Sequence, residues 1–243
     1  MPKKRLDQII VERGLLQNRS RSRAIIMAGK VFVNNQLTDK PGTGVSENDD
    51  IIIKGNDIPY VGRGGIKLEK AIKTFGINVD DMICLDVGAS TGGFTDCLLQ
   101  NGAKQVFAVD VGYGQLAWSL RQNPQVVVIE RTNIRYMSRK TIPVPVDLVT
   151  IDVSFISLKI VVPAVLKFIK KNGTLIALIK PQFEVGKGKV GKGGIVRDQA
   201  LIKNVIKDLF FFFTEAGLVC KNVIPSPISG SKGNKEFLAL IQC

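Results

Sequence analysis

The chain has 243 residues, 45% of them hydrophobic, and carries 34 Lys+Arg against 21 Asp+Glu, a net charge of +13. That length suits one large domain, alone or with a small one, and the charge excess points to a polyanion such as nucleic acid or to an anionic membrane surface. The absence of histidine excludes Ser-His-Asp, Cys-His and His-metal chemistry in their usual forms and leaves proton transfer to Lys, Asp, Glu, Tyr or water.

No apolar run approaches the ~18–20 residues needed to span a bilayer. The longest, "TLIALI" at 174–179 and "LFFFF" at 209–213, suit a buried strand and a core helix. The start, "MPKKRLDQIIVERG", is basic but lacks the apolar stretch of a secretory signal. Cys84, Cys97, Cys220 and Cys243 form no CxxC pair, so neither structural zinc nor disulfides are implied. A reduced, cytoplasmic protein with no metal and no membrane association is expected.

In chain order, residues 1–60 read as a small α+β module. Leu6, Ile9 and Ile10 mark a short helix ending near Gly14, and Ser20 is the expected cap of a second that stops at Gly29. Asn34-Asn35 between apolar runs predicts a tight hairpin, because Asn tolerates positive φ. Pro41-Gly42 is another turn, and Ile51–Ile53 a last strand. Residues 61–82 bridge to the rest; "RGGIKLEKAIKTFGI" reads as a helix with Ile66, Ala71 and Phe75 inward.

From residue 83 strands alternate with helices. Strands are expected at 83–87, 105–110, 126–130, 147–152, 173–179, 218–224 and 236–242, and helices at 92–101, 114–122, 158–171 and 198–216. Apolar strands with helical crossovers imply a parallel sheet covered on both faces. The last two strands are joined by "PSPISGSKGNK", too short for a helical crossover, so this pair should be antiparallel.

Three readings compete for the glycine-rich loops. "GASTG" (88–92) matches the G-x-S-x-G nucleophile elbow, but no histidine exists to activate Ser90. "GKGKVGKG" (186–193) resembles a P-loop, but Gly193 stands where a Ser or Thr should bind magnesium; it reads as a mobile basic loop. A nucleoside site survives. Gly88, Gly92 and Gly93 surround a strand-to-helix turn, and Asp110 ends the next strand, where a carboxylate can hold both ribose hydroxyls. A dinucleotide is disfavoured because Ser90 replaces the middle glycine that lets backbone approach a pyrophosphate. S-adenosyl-L-methionine needs a helix N-terminus for its carboxylate and an acid for its ribose, and both are offered.

Together "LDVGASTGGFTD" (85–96), "DVSFISL" (152–158) and "KPQFE" (180–184), behind "RLDQIIVERGL", "SRSRA" and "AGKVFVNN", resemble the hemolysin A (TlyA-type) ribosomal-RNA methyltransferases. The resemblance covers essentially the whole chain; 61–70 and 228–237 also carry it. It implies an S4-like RNA-binding domain over 1–60, a linker and first catalytic-domain helix over 61–82, and an FtsJ-like methyltransferase domain over 83–243. The implied fold of the last is Rossmann-like, the class I methyltransferase fold, seven-stranded with the last strand antiparallel.

The resemblance further implies a catalytic tetrad of Lys67, Asp152, Lys180 and Glu236, and cofactor contacts from Gly88, Ser90, Thr91, Gly92, Gly93, Asp110, Asp152 and, toward the adenine, Asn133. The strand pattern agrees for three of the four: Asp152 and Lys180 end parallel strands, and Glu236 starts the reversed one at the same rim. Lys67 has no such support; without the resemblance it reads as an exposed helix lysine. Two cations and two carboxylates also fit a structural ion-pair network, and Lys180 fits either a general base or an electrostatic role. Residues 1–60 carry a net +3 and the remainder +10, so both parts are expected to meet RNA phosphates. Arg19, Arg21, Arg23 and Lys30 are candidates in the first, and Lys187, Lys189 and Lys192 in a 186–197 clamp. The expected activity is S-adenosylmethionine-dependent 2′-O-methylation of ribosomal RNA, at cytidines of one or both subunits. A non-catalytic ribosome assembly factor and a membrane-lytic protein are the alternatives.

Overall fold

The computed structural model describes residues 3–16, 18–27, 29–53, 59–186, 188–230 and 232–243, apart from the side chain of Lys192. It divides into two units, Met1–Asp57 and Ile58–Cys243.

In the smaller unit β1 (Lys4–Arg5), α1 (Leu6–Glu12) and α2 (Arg19–Met27) precede β2 (Val31–Val33), β3 (Gln36–Leu37), β4 (Gly44–Val45) and β5 (Ile51–Ile53). Strands β3-β2-β5 make one antiparallel sheet, and β1 pairs with β4. Leu6, Ile9 and Ile10 of α1 close the core against Ile26, Val31 and Val45. Asn34 and Asn35 take φ of 49° and 65°, the pair of positive angles a two-residue hairpin with right-handed twist requires. The cap of α2 is Asn18, not Ser20. Asn18 Oδ1 accepts from the Arg21 N–H at 2.9 Å, and Ser20 lies exposed inside the first turn.

The larger unit runs α3 (Gly64–Phe75), β6 (Ile83–Val87), α4 (Gly93–Gln100), β7 (Gln105–Val109), α5 (Trp118–Arg121), β8 (Val126–Ile129), β9 (Val146–Ile151), α6 (Leu158–Val165), β10 (Ile169–Ile179), α7 (Pro181–Glu184), α8 (Gln199–Glu215), β11 (Val219–Pro225) and β12 (Phe237–Gln242). One seven-stranded sheet has the order β11-β12-β10-β9-β6-β7-β8. Strand β12 runs antiparallel to both neighbours, and the remaining pairs are parallel. Alternation along β6 divides the core. Leu85 and Val87 face α6 and α8, through Val161, Val165, Leu209 and Phe213. Cys84 faces α3 and α4, through Leu68, Ile72, Phe94 and Leu98.

Two expected helices are shorter than the apolar pattern suggests. The 114–122 segment is helical only in α5. The 158–171 helix stops at Val165, where the Phe168 N–H donates to Val165 O at 2.9 Å, and the chain enters β10 four residues early. Asn172 at φ 63° and a register shift between Ile169 and Thr174 absorb the polar "KKNG" as an irregular strand entry, tied down by a Lys170–Asp147 ion pair of 2.6 Å.

Asp86 sits fully buried in the middle of this sheet. It accepts hydrogen bonds from the hydroxyls of Thr95 (2.7 Å) and Thr150 (2.9 Å). Burial pushes its carboxyl up to about 6 from 3.8, against those two bonds, with the nearby Asp152 charge adding to the rise. An acid whose folded pKa is raised stabilises the fold below its unfolded pKa and loses that contribution as pH rises through the folded one. The expected loss is about 3 kcal/mol between about pH 4 and 6. Urea titrations at pH 4, 5 and 7 should therefore show Asp86→Asn gaining on the parent as pH rises. A difference that stays flat across that window contradicts the assignment.

Candidate active site

The strand order reverses between β6 and β9, and crevices at such points lie beyond the carboxyl ends of the strands. Here the Asp152 N–H donates to Val87 O at 2.9 Å, and Gly88 follows at φ 85°. A Cβ on Gly88 would stand 2.4 Å from the Asp152 carbonyl oxygen, so only glycine lets the two strand ends meet. Residues 88–93 then turn into α4. At Gly93 a Cβ would press on the Gly65 nitrogen at 2.9 Å; this close approach seats the N-terminus of α3 on that of α4.

Two ion pairs form at this rim. Lys180, directly after β10, places Nζ 2.5 Å from Asp152 Oδ1. That contact lacks hydrogen-bond angles, and the ammonium donates instead to Ser154 Oγ at 3.1 Å. Lys67, on α3, donates to Glu236 Oε2 at 2.6 Å. Glu236 precedes β12, whose reversed direction brings it beside Lys180 across the Ile179–Phe237 register. The four side chains are between 3% and 20% exposed, and all line one cleft of about 490 Å³. A smaller cavity of about 200 Å³, lined by Gly88, Thr91 and Gly93, shares Gly64, Ser90, Asp152, Ser154 and Lys180 with it. A wider cleft of about 600 Å³ opens at the opposite rim, ahead of β9 and β10. No carboxylate lines it, so it offers no acid–base pair.

Other expected site residues do not line these two cavities. Asp110 follows β7 and accepts from the Ser90 N–H (2.8 Å) and the Gly112 N–H (2.7 Å); it ties the glycine loop to the next strand end. Gly92, at φ 96°, caps α4. Asn133 is exposed on the loop after β8, its Oδ1 accepting from the Arg135 N–H at 3.1 Å. In the smaller unit Arg19 donates to the buried Asp7 at 3.2 Å, and Arg19 and Arg23 border an open groove of about 510 Å³. Arg21 lies on the same helix, and Lys30 is half-buried just before β2. Lys189 is exposed, and Lys187 lies outside the described residues. The 186–197 loop, expected to be mobile, is pinned at its far end. Asn234 accepts from the Val196 N–H (2.9 Å) and donates to Gly194 O (2.8 Å).

Sequence reasoning missed Arg63, Ser154, Phe155, Gln182 and Phe183, which also line the larger cleft. Phe155 is 89% exposed at φ 63°, an unusual pairing of a bulky side chain with left-handed backbone. Its position in "DVSF", between a strand end and a helix cap, was the available signal. Removing one member of a buried pair strands the other charge, which typically costs about 3–5 kcal/mol. Glu236→Ala should lose stability in that range by urea unfolding, and Lys67→Met combined with Glu236→Leu should regain most of it. A cost below about 1 kcal/mol, the level of an exposed pair, would show that solvent reaches the site.

Comparison with known proteins bears on this geometry. Residues 60–242 match the FtsJ-like methyltransferase family and residues 4–51 the S4 domain. The chain is 50% identical to YqxC of Bacillus subtilis over 240 residues, 97% of this chain and 84% of that protein. It is 44% identical to the 16S/23S rRNA (cytidine-2′-O)-methyltransferase TlyA of Mycobacterium tuberculosis, over 96% and 87% of the two chains. A solved structure from Streptococcus thermophilus superposes with a TM-score of 0.78 at 43% identity, covering 100% of this chain and 89% of the other. The rim that joins a glycine loop to two Lys–carboxylate pairs thus sits in a chain that belongs to the hemolysin A (TlyA-type) family of FtsJ-like methyltransferases with an N-terminal S4 domain.

Proposed function

We propose that this protein transfers a methyl group from S-adenosylmethionine to a ribose 2′-hydroxyl of ribosomal RNA, with cytidine as the target nucleotide, in the cytoplasm where the subunits are. The carrying observation is the convergence of Lys67–Glu236 and Lys180–Asp152 in one cleft that adjoins the glycine loop. The relative named as a cytidine-2′-O-methyltransferase supports the substrate class.

The donor set fits the cofactor. The start of α4 at Gly93 offers N–H groups to a carboxylate, with Gly88, Ser90, Thr91 and Gly92 forming the wall before it. Asp110 has lone pairs left on both oxygens after its two backbone bonds and is the ribose ligand in this reading, with Asn133 toward the adenine. S-adenosylmethionine, when bound, supplies a methyl carbon made electrophilic by its sulfonium. Asp152 and Lys180 line both cavities, so an acceptor in the larger one meets them at the boundary.

A ribose hydroxyl is a weak nucleophile until its proton is removed. In this reading Lys180 first releases a proton to solvent and, as the neutral amine, takes the hydroxyl proton as the 2′-oxygen bonds to the methyl carbon and the carbon–sulfur bond breaks to leave a neutral thioether. Asp152 and Ser154 orient the Lys180 nitrogen, and Lys67 with Glu236 holds the ribose from α3 and β12. The exposed Phe155 ring, 4.9 Å from Phe183, offers a face to a base drawn out of its stack. Arg19, Arg21, Arg23 and Lys30 of the S4 unit, with the basic 186–197 loop, serve as phosphate contacts.

The decisive experiment is transfer of labelled methyl groups to isolated ribosomal subunits, followed by mapping of the modified nucleotide; label on a base or on protein overturns the reading. Lys180→Ala should lower turnover by roughly 10²–10⁴ with cofactor affinity kept, and Lys180→Arg should not rescue, because guanidinium stays protonated. Near-normal turnover in the arginine variant restricts Lys180 to an electrostatic role. Asp110→Ala should weaken cofactor binding by about 1–3 kcal/mol in calorimetry. Unchanged affinity in a folded protein removes Asp110 as ribose ligand.

A further inference from the structure

The loop 152–158 and the segment 180–184 leave the neighbouring strands β9 and β10 and run side by side from the rim. Cross-links join them in sequence. Lys180 meets Asp152 at 2.5 Å and donates to Ser154 at 3.1 Å. Phe183 packs on Phe155, with ring centroids 4.9 Å apart and planes inclined at 47°. Glu184 closes the series: Oε2 accepts from the Ser157 hydroxyl at 2.6 Å and Oε1 from the Leu158 N–H at 2.8 Å.

This last contact differs from the others in what it grips. Ser157 caps α6, its hydroxyl also accepting from the Lys159 N–H at 3.1 Å. Glu184 therefore holds the beginning of a helix rather than a single side chain. Its negative charge stands where a helix start favours an anion. Burial pushes its carboxyl up, opposed by the bonds from Ser157 and Leu158, so the arrangement keeps a carboxylate in a costly place for two backbone-anchoring bonds. At the other end, Lys180 immediately precedes the single turn α7 and Glu184 ends it; the turn begins with Pro181 and closes through Val185 N–H to Pro181 O at 3.0 Å. Proline fixes φ at the first helical position, so the two side chains stand at the two ends of one rigid turn.

We infer that Glu184 is a positioning residue: by tying the start of α6 to α7, it holds Phe155 in its left-handed conformation over the cleft and keeps Asp152 and Ser154 against Lys180. Without that tie the 153–157 loop is free to relax from φ 63° at Phe155, a conformation that persists in bulky residues only when the surroundings impose it. The effect on catalysis rests on the proposed methyl transfer; the effect on the loop does not.

Two measurements on the full-length protein separate these. Amide hydrogen exchange reads the tie itself. Glu184→Ala should speed exchange across 153–158 at least about tenfold, with β6 and α4 unchanged. Methyl transfer to ribosomal subunits reads the consequence. Glu184→Ala should lower kcat by about 10–100-fold, the scale of a misplacement near 1 Å, with cofactor affinity within about twofold. Glu184→Gln should restore kcat to within about threefold of the parent, because its amide oxygen accepts from Leu158 and its NH₂ donates to Ser157. If Glu184→Ala unfolds, Ser157→Ala removes one of the two bonds, together with the cap bond from the Lys159 N–H, and should give a measurable loss in both readouts. Unchanged exchange in Glu184→Ala, or in Ser157→Ala where that is the variant that folds, overturns the proposal. So does a glutamine variant as slow as the alanine one. Altered exchange beside a parent enzyme silent on every RNA tested would leave the tie intact and overturn the functional reading instead.

Discussion

Four ionisable side chains share one poorly hydrated rim, and each would cost several kcal/mol to desolvate alone. They are tolerable only as two pairs in close contact, so Lys67, Asp152, Lys180 and Glu236 must arrive together from four separated segments. Much of the fold can be read as the means of that meeting. The reversal between β6 and β9 opens the crevice. The antiparallel course of β12 turns a strand beginning, Glu236, toward the carboxyl ends of its neighbours. Helix α3 precedes the first strand of the sheet, and the bare Cα of Gly93 lets it settle low enough on α4 for Lys67 to reach across.

In the proposed reaction the two cavities divide donor from acceptor, and their linings differ accordingly. Residues lining only the smaller cavity are Gly88, Ala89, Thr91, Gly93 and Phe94, four of them small, as suits a ligand held by N–H groups. Residues lining the larger cleft only include Phe155, Phe183, Gln182 and Lys232, which suit a planar, polar-edged, anionic partner. Gly64, Ser90, Asp152, Ser154 and Lys180 line both. In the proposed reaction a group that touches donor and acceptor in one transition state belongs at this boundary, where the β9 and β10 ends deliver Asp152, Ser154 and Lys180 and the glycine loop delivers Ser90.

The sheet was largely legible because apolar strands leave an unambiguous pattern, and the Asn34-Asn35 hairpin because positive φ restricts the residue types allowed. The errors have equally local causes. The apolar run after residue 158 continues smoothly past the true helix end, and nothing before Asn172 signals that backbone pairing with Val146 takes over. Asn18 outcompetes Ser20 as a cap through a single hydrogen bond. Lys67 was the hardest residue to place. An inward lysine on a helix looks like an outward one until its partner is known, and Glu236 is 169 positions away. Phe155 was invisible for the opposite reason: exposed aromatic residues are common enough that exposure means something only beside a cleft.

The charge excess of the chain and the charge balance of the site serve different ends. The net +13 is spread over both units, whereas at the rim Lys67 and Lys180 are each matched to a carboxylate. In the proposed reading, attraction for the RNA comes from exposed side chains such as Arg23 and Lys189, whose contributions fade with added salt as counterions compete. The rim pairs are shielded from that competition by burial. A cationic rim would hold a phosphate at the point where a neutral hydroxyl has to react. In the proposed reading the pairing leaves neither Lys67 nor Lys180 as an unmatched cation to capture a phosphate there, so that binding strength and chemical alignment are set by different residues.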